Sequence, residues 1–221
     1  MKGLYAIVDA DVLTQRRLEA LPYLEAVLSA HPAAVQLRAK SLGPRQTLAL
    51  LRLLRARCAA EHVPFFANDR PDLAILANCD GVHLGQSDID PVDARRLTSE
   101  LAIGLSTHRL EEVDVALQHR PAYVAFGPVF DTASKPDAEP VVGLEALAEA
   151  ARRCRAAGVP LVAIGGLTLD RAPLVARSAD AGAVISALLP PEGLAGVAEA
   201  ARLLHAALGG AQVPPRGSAG S

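Results

Sequence analysis

The sequence predicts a single (β/α)8 TIM barrel, and three observations carry that expectation. Eight short apolar runs alternate with longer amphipathic stretches, the order expected of repeated strand–helix units around a parallel sheet. Most of the runs are apolar at both odd and even positions, as strands covered on both faces must be. The chain has 221 residues, a length that one such barrel fills without a second core. An open doubly wound sheet fits less well, because no Gly-x-Gly-x-x-Gly motif follows the first run.

Taken in order, the strands are expected at 4–8, 33–37, 64–67, 81–84, 101–105, 122–126, 160–164 and 182–185. Helical spacing is plain between them, for example at Leu48, Leu51 and Leu54 or at Leu144, Leu147 and Ala151. Pro44, Pro71 and Pro91 suit the first turn of a helix, where the missing N–H would have no intrahelical partner anyway. Gly158, followed by Pro160, suits the position just past a helix end. The barrel is assigned to 1–208, and 209–221, rich in Gly, Pro, Ser and Ala, is expected to be a disordered tail. Residues 127–142 are long for a strand-to-helix connection and read as a functional loop.

Composition narrows the function. Hydrophobic residues make up 51% of the chain, ample for a large core, while 3% aromatic content, no Trp and a net charge of −2 argue against a nucleic-acid surface. No apolar run approaches a membrane span, and Asp9 and Asp11 interrupt the N-terminal run too early for a signal peptide. Cys58, Cys79 and Cys154 lack Cys-x-x-Cys spacing, so buried inert thiols and a reducing, cytoplasmic location are expected.

In a barrel of this kind chemistry collects at the C-terminal ends of the strands. Asp69 and Asp88 end adjacent strands and would project into one mouth, and two carboxylates without a thiolate suit a hard cation such as Mg²⁺. Gln36, Arg38 and Lys40 share one side of an extended backbone, putting two cations where a diphosphate could be neutralised. Asn68 accompanies Asp69, His83 and Gln86 accompany Asp88, and Ser106, Thr107 and His108 end the fifth strand. After the sixth, Thr132, Ser134 and Lys135 offer two hydroxyls and an amine to a phosphate. Gly165-Gly166 and Ser186-Ala187 follow the seventh and eighth, where barrels hold phosphate on backbone N–H groups.

Helix capping is the competing explanation at several of these positions. Asp69 could cap the helix at Pro71, Asp88 or Asp90 the one at Pro91, and Thr107 the next. His31, His62, His119 and His205 are expected at the surface. No His-Glu-x-x-His or nucleophile-elbow pattern occurs, so a covalent serine or cysteine mechanism has little support.

Together, Gln36-x-Arg38-x-Lys40, Asn68-Asp69-Arg70, Gly81-Val82-His83-Leu84-Gly85-Gln86-x-Asp88, Ser106-x-His108, Gly127-Pro128-Val129-Phe130-x-Thr132, Ile164-Gly165-Gly166 and Ile185-Ser186 resemble the thiamine-phosphate synthase and thiazole tautomerase superfamily. The resemblance implies a transferase that joins hydroxymethylpyrimidine diphosphate to thiazole phosphate, releasing pyrophosphate. It implies Mg²⁺ on Asp69 and Asp88, and pyrophosphate on Arg38, Lys40, Asn68 and Lys135. Gln36 and Ser106 would contact the pyrimidine side or the leaving group, and His83 and Gln86 would be among the substrate-binding residues. Thr132, Ser134, Gly166 and Ser186 would receive the thiazole phosphate, and Ile185 would also bind substrate. Arg38, Lys40, Ser106 and Lys135 would be the catalytic set, and the partners would be small molecules, with a homo-oligomer left open.

Two departures fall in the loop after the sixth strand. The family loop reads Pro-Thr-x-Thr-Lys, whereas this chain has Asp131-Thr132-Ala133-Ser134-Lys135. Ser134 keeps a hydroxyl, but Asp131 would repel phosphate unless it faces solvent or meets a cation. Two alternatives stay open: a thiazole tautomerase, with His108 in proton transfer and no use for the aspartate pair, and a barrel that binds phospho-ligands without catalysis.

Overall fold

The computed structural model describes residues 1–132 and 139–211. Eight parallel strands close in sequence order into a barrel. They are β1 (Gly3–Asp9), β2 (Ala34–Arg38), β3 (Phe65–Asn68), β4 (Gly81–Leu84), β5 (Ala102–Thr107), β6 (Tyr123–Phe126), β7 (Leu161–Ile164) and β8 (Ala181–Val184). Closure is made by β8 pairing back on β1, with Leu4 in register with Gly182.

Helices α1 (Ala10–Gln15), α2 (Ala20–Leu28), α3 (Pro44–Ala60), α4 (Pro71–Leu76), α5 (Pro91–Leu97), α6 (Leu110–Gln118), α7 (Gly143–Ala156), α8 (Ala172–Val175) and α9 (Leu194–Ala207) lie between and after the strands. Each of the three expected prolines starts its helix, at α3, α4 and α5. Gly158 follows α7 with φ of +68°, a conformation that admits glycine without a Cβ penalty.

Two cores explain why the strands are apolar at both parities. Outward residues such as Leu4, Val8, Leu37 and Val124 pack against helical Leu51, Leu54, Leu147 and Val197. Inward residues Tyr5, Ile7, Phe66, Tyr123, Val162 and Ala183 fill the barrel itself. Tyr123 lies 5.4 Å, ring centroid to centroid, from both Tyr5 and Phe66. These rings claim the space of two side chains on neighbouring strands. A Cβ on Gly81 would fall 2.2 Å from Phe66 Cε1, and one on Gly104 2.1 Å from Tyr123 Cζ.

Three expectations meet their outcome here. All three cysteines are buried and unpaired, and burial pushes the thiols of Cys58 and Cys79 up to about 12 and that of Cys154 to about 11, so they stay protonated and inert. Thr107 does not cap α6; it faces outward, fully buried, and its hydroxyl donates to the Ala125 carbonyl at 2.9 Å. His205 is not at the surface but buried, accepting the Leu4 N–H at Nδ1 (3.3 Å) and closing the N-terminal end of the barrel between Gly3 and Gly210. The α9 periodicity brings it inward beside Ala201 and Leu204.

Gly209 follows α9 with φ of +78°, and Gly210 packs on the His205 ring. The remainder of the expected tail, 212–221, lies outside the described residues. Among the described residues no helix is long and apolar enough to cross a membrane.

Candidate active site

The inward positions at the C-terminal ends of β1 to β5 are polar, and they bond to one another across strands. Gln36 Nε2 donates to Asn68 Oδ1 at 2.9 Å, tying β2 to β3. Arg38 Nη1 reaches Asp9 Oδ2 at 2.6 Å. Asp9 is itself fixed, since its Oδ1 accepts the N–H groups of Asp11 and Val12 at 3.1 Å and so caps α1. A buried carboxylate that both caps a helix and holds a guanidinium leaves Arg38 little freedom. Lys40, beyond the end of β2, forms an ion pair with Asp69 at the end of β3.

Asp69 does not cap α4, whose N-cap is Arg70 and carries no side-chain cap bond. Its φ is +63°, and its N–H donates to the His83 carbonyl at 2.8 Å, which extends the β3–β4 ladder past the strand end. A non-glycine residue in the left-handed region is strained backbone, held here by that bond and by the Lys40 pair. Asp88 does not cap α5 either; Asp90 does, accepting the Val92 N–H at 2.7 Å. Asp88 instead accepts the Gly85 N–H at 2.7 Å, which turns its carboxyl back toward the mouth.

Burial, and then the neighbouring Asp69 carboxyl, hold the Asp88 carboxyl above the usual carboxylate range. Two adjacent carboxylates facing one ammonium form a site short of positive charge. That donor set fits Mg²⁺, which takes one or two carboxylates and completes its shell with water and phosphate oxygens. Among the described residues no group of three or more His, Cys, Asp or Glu side chains is gathered for a softer or all-protein metal site. A cavity of about 170 Å³ opens alongside, with Lys40, Asn68, Asp69 and Arg70 on its polar side and Leu37 and Leu51 behind.

His83 is bonded at both nitrogens, Nδ1 to the Tyr123 hydroxyl at 2.9 Å and Nε2 to the Ser106 hydroxyl at 2.8 Å. Gln86 Nε2 donates to the Ser106 carbonyl at 2.5 Å, so the three β4–β5 candidates form one group. His108 turns to the next strand, where its Nδ1 meets the Gly127 carbonyl at 2.6 Å. A carbonyl only accepts, so Nδ1 carries the proton.

The other half of the mouth is built by backbone. Phe130 N–H donates to the Gly165 carbonyl at 3.1 Å, seating the start of the β6–α7 loop on the end of β7. Gly165 and Gly166 take φ of +99° and +64°, and a Cβ on Gly166 would fall 2.4 Å from the Asp131 carbonyl oxygen. Arg171 donates to the Gly166 carbonyl at 2.8 Å and stacks over Phe130, its guanidinium carbon 4.8 Å from the ring centroid. Ile185, half-buried against the barrel interior, leads into a 3-10 turn, Ser186–Leu188, that leaves Ser186 exposed at the end of β8. Thr132 is half-buried and Asp131 is exposed. Ser134 and Lys135 lie outside the described residues.

Three participants were not anticipated as such from the sequence. Asp9 ends β1 just as Asp69 directly follows the end of β3, and that shared address was the available signal. Tyr5 and Tyr123 gave no signal beyond being aromatic residues in apolar runs; only closure of the barrel sets their hydroxyls against each other.

Comparison with known proteins comes to the same family from three directions. The model of a family described as thiamine monophosphate synthase matches residues 4–188. A thiamine-phosphate synthase from Lysinibacillus sphaericus is 39% identical over 195 residues, covering 86% of this chain and 89% of that protein. One from Syntrophomonas wolfei is 36% identical over 202 residues, covering 90% and 94%. Among solved structures, a thiamine phosphate pyrophosphorylase from Pyrococcus furiosus superimposes with a TM-score of 0.81 at 31% identity, covering 94% of this chain and 95% of that one.

Proposed function

This chain belongs to the thiamine monophosphate synthase family, an enzyme of the transferase class acting on small molecules, and we propose that its mouth joins hydroxymethylpyrimidine diphosphate to thiazole phosphate with Mg²⁺ held by Asp69 and Asp88. The observation that carries this reading is the pair of carboxylates, neither of which caps a helix, set beside Lys40. Mg²⁺ at that place supplies charge neutralisation for a diphosphate leaving group.

The protein's own groups divide the remaining work. Arg38, aimed by Asp9, and Lys40 supply positive charge for the departing pyrophosphate, with Asn68 as a neutral donor and Lys135 assigned there from its motif alone. Positioned cations act where negative charge grows, and that favours bond breaking more than substrate binding. Gln36 and Ser106 meet the pyrimidine, whose developing cation needs hydrogen-bonding partners rather than a strong base. His83 and Gln86 hold Ser106 in place. Gly166, Ile185 and Ser186 offer backbone and hydroxyl donors to the thiazole phosphate, with Thr132 beside them and Ser134 assigned there from its motif alone. In this arrangement the two substrates occupy opposite halves of one mouth, so the thiazole nitrogen stands close to the carbon the pyrophosphate leaves.

A thiazole tautomerase would have no use for the Asp69 and Asp88 pair. The test is to supply both substrates to the purified protein with and without Mg²⁺ and to measure thiamine phosphate. Product dependent on the metal is expected; folded protein that forms none would refute the proposal.

A further inference from the structure

A chain of hydrogen bonds runs from the barrel interior to the mouth. Tyr5 Oη lies 2.7 Å from Tyr123 Oη, which lies 2.9 Å from His83 Nδ1, and His83 Nε2 lies 2.8 Å from Ser106 Oγ. Both tyrosines are buried among Ile7, Phe66, Val162 and Ala183, whereas Ser106 is half-buried at the mouth. One end of the chain is closed by apolar side chains and the other opens onto substrate.

That asymmetry decides which way the protons point. Each hydroxyl has one proton to donate, and a neutral imidazole has one N–H and one lone pair. If Ser106 donated to His83, then His83 Nδ1–H would donate to Tyr123 and Tyr123 to Tyr5. The Tyr5 proton would then face the apolar cluster, a buried donor left unsatisfied. In the opposite sense every bond is made. Tyr5 donates to Tyr123, Tyr123 to His83 Nδ1, and His83 Nε2–H to Ser106, whose own proton is left for the mouth. Burial holds the protons of both tyrosines in place by raising the phenols above their ordinary range, so neither becomes a phenolate acceptor.

We propose that Tyr123 is a positioning residue that fixes His83 as its Nε2–H tautomer and thereby presents Ser106 to the substrate as a hydrogen-bond donor. The ligand atom that Ser106 meets is then an acceptor, such as a ring nitrogen or an ester oxygen of the pyrimidine substrate, and not an N–H donor. This rests on Ser106 being a substrate contact, while the tautomer of His83 does not.

Two measurements test it. In protein labelled with ¹⁵N-histidine and free of substrate, the His83 ring should show the Nε2–H tautomer, and Tyr123→Phe should let the Nδ1–H form appear. Tyr5→Phe, which leaves Tyr123 able to donate only to His83, should keep Nε2–H. In steady-state kinetics Tyr123→Phe should lower kcat/KM for the pyrimidine diphosphate about tenfold, the worth of one hydrogen bond, and should cost nothing further when Ser106 is already alanine. An Nδ1–H tautomer in the unaltered protein, or an equal loss from Tyr123→Phe with and without Ser106, would overturn the proposal. Should Tyr123→Phe fail to fold, the spectra of the unaltered protein and of Tyr5→Phe decide. Absence of all synthase activity would refute the proposed function and leave the tautomer result standing.

Discussion

Lys40 reaches past the end of β2 to pair with Asp69 at the end of β3, although the lysine side chain is 51% exposed. An ion pair that open to water stabilises a fold by only about 0–1 kcal/mol. Stability therefore does not account for two long-range partners being brought to this spot beside a second carboxylate.

Lys40→Met separates the two roles. Its unfolding free energy in urea should stay within about 1 kcal/mol of that of the unaltered protein, while kcat/KM for the pyrimidine diphosphate should fall about a hundredfold, in line with loss of one preorganised charge contact. A large drop in stability with kinetics preserved would make Lys40 structural.

Asp9 carries the opposite balance. It is buried, caps α1 and holds Arg38, so Asp9→Ala loses a cap and strands a guanidinium that is largely buried. The expected destabilisation is about 2–4 kcal/mol by chemical denaturation, with weaker binding of diphosphate because Arg38 is no longer aimed. Asp9→Asn, which keeps an acceptor for the cap, should recover part of the stability and little of the binding.

The barrel interior has no room at two glycines. Gly104→Ala sets a methyl against the Tyr123 ring and Gly81→Ala sets one against Phe66. Each should cost about 2–3 kcal/mol by overpacking, and Gly104→Ala should also disturb kinetics through Tyr123. Denaturation midpoints unchanged from the parent would show that the rings give way freely.

His205 predicts how stability depends on pH. Burial holds its pKa below the ordinary value of 6.5, so the unfolded chain takes up this proton before the folded one does. Its contribution is complete above 6.5 and is lost as pH falls from there through the lowered folded value. Urea midpoints at pH 7.5 and pH 5.5, both about one unit from the ordinary histidine value, should therefore differ more in the unaltered protein than in His205→Gln. An equal pH response in both would remove His205 from the account.

The strands and helix starts were legible because their signals are local: apolar runs, prolines at first turns, a glycine after α7. The mouth was legible because barrel geometry collects strand ends, and Gln36, Asn68, Asp69, His83 and Ser106 do bond or pair around it. What the sequence could not show depends on closure. Thr107 looked like a cap because it precedes a helix, yet its parity on β5 turns it outward to Ala125. His205 looked superficial because it sits near a helix end, yet α9 returns it under the first strand. Tyr5 and Tyr123 are 118 residues apart, and no periodicity relates them.

The most direct measurement of the central claim is thiamine phosphate formation by the unaltered protein, Asp69→Asn and Asp88→Asn, each assayed with Mg²⁺ and after chelation, with circular dichroism to establish folding. The account predicts product from the unaltered protein only when Mg²⁺ is present, and a loss of about a hundredfold or more in either folded variant. Equal rates with and without the metal, or full activity in both variants, would contradict it.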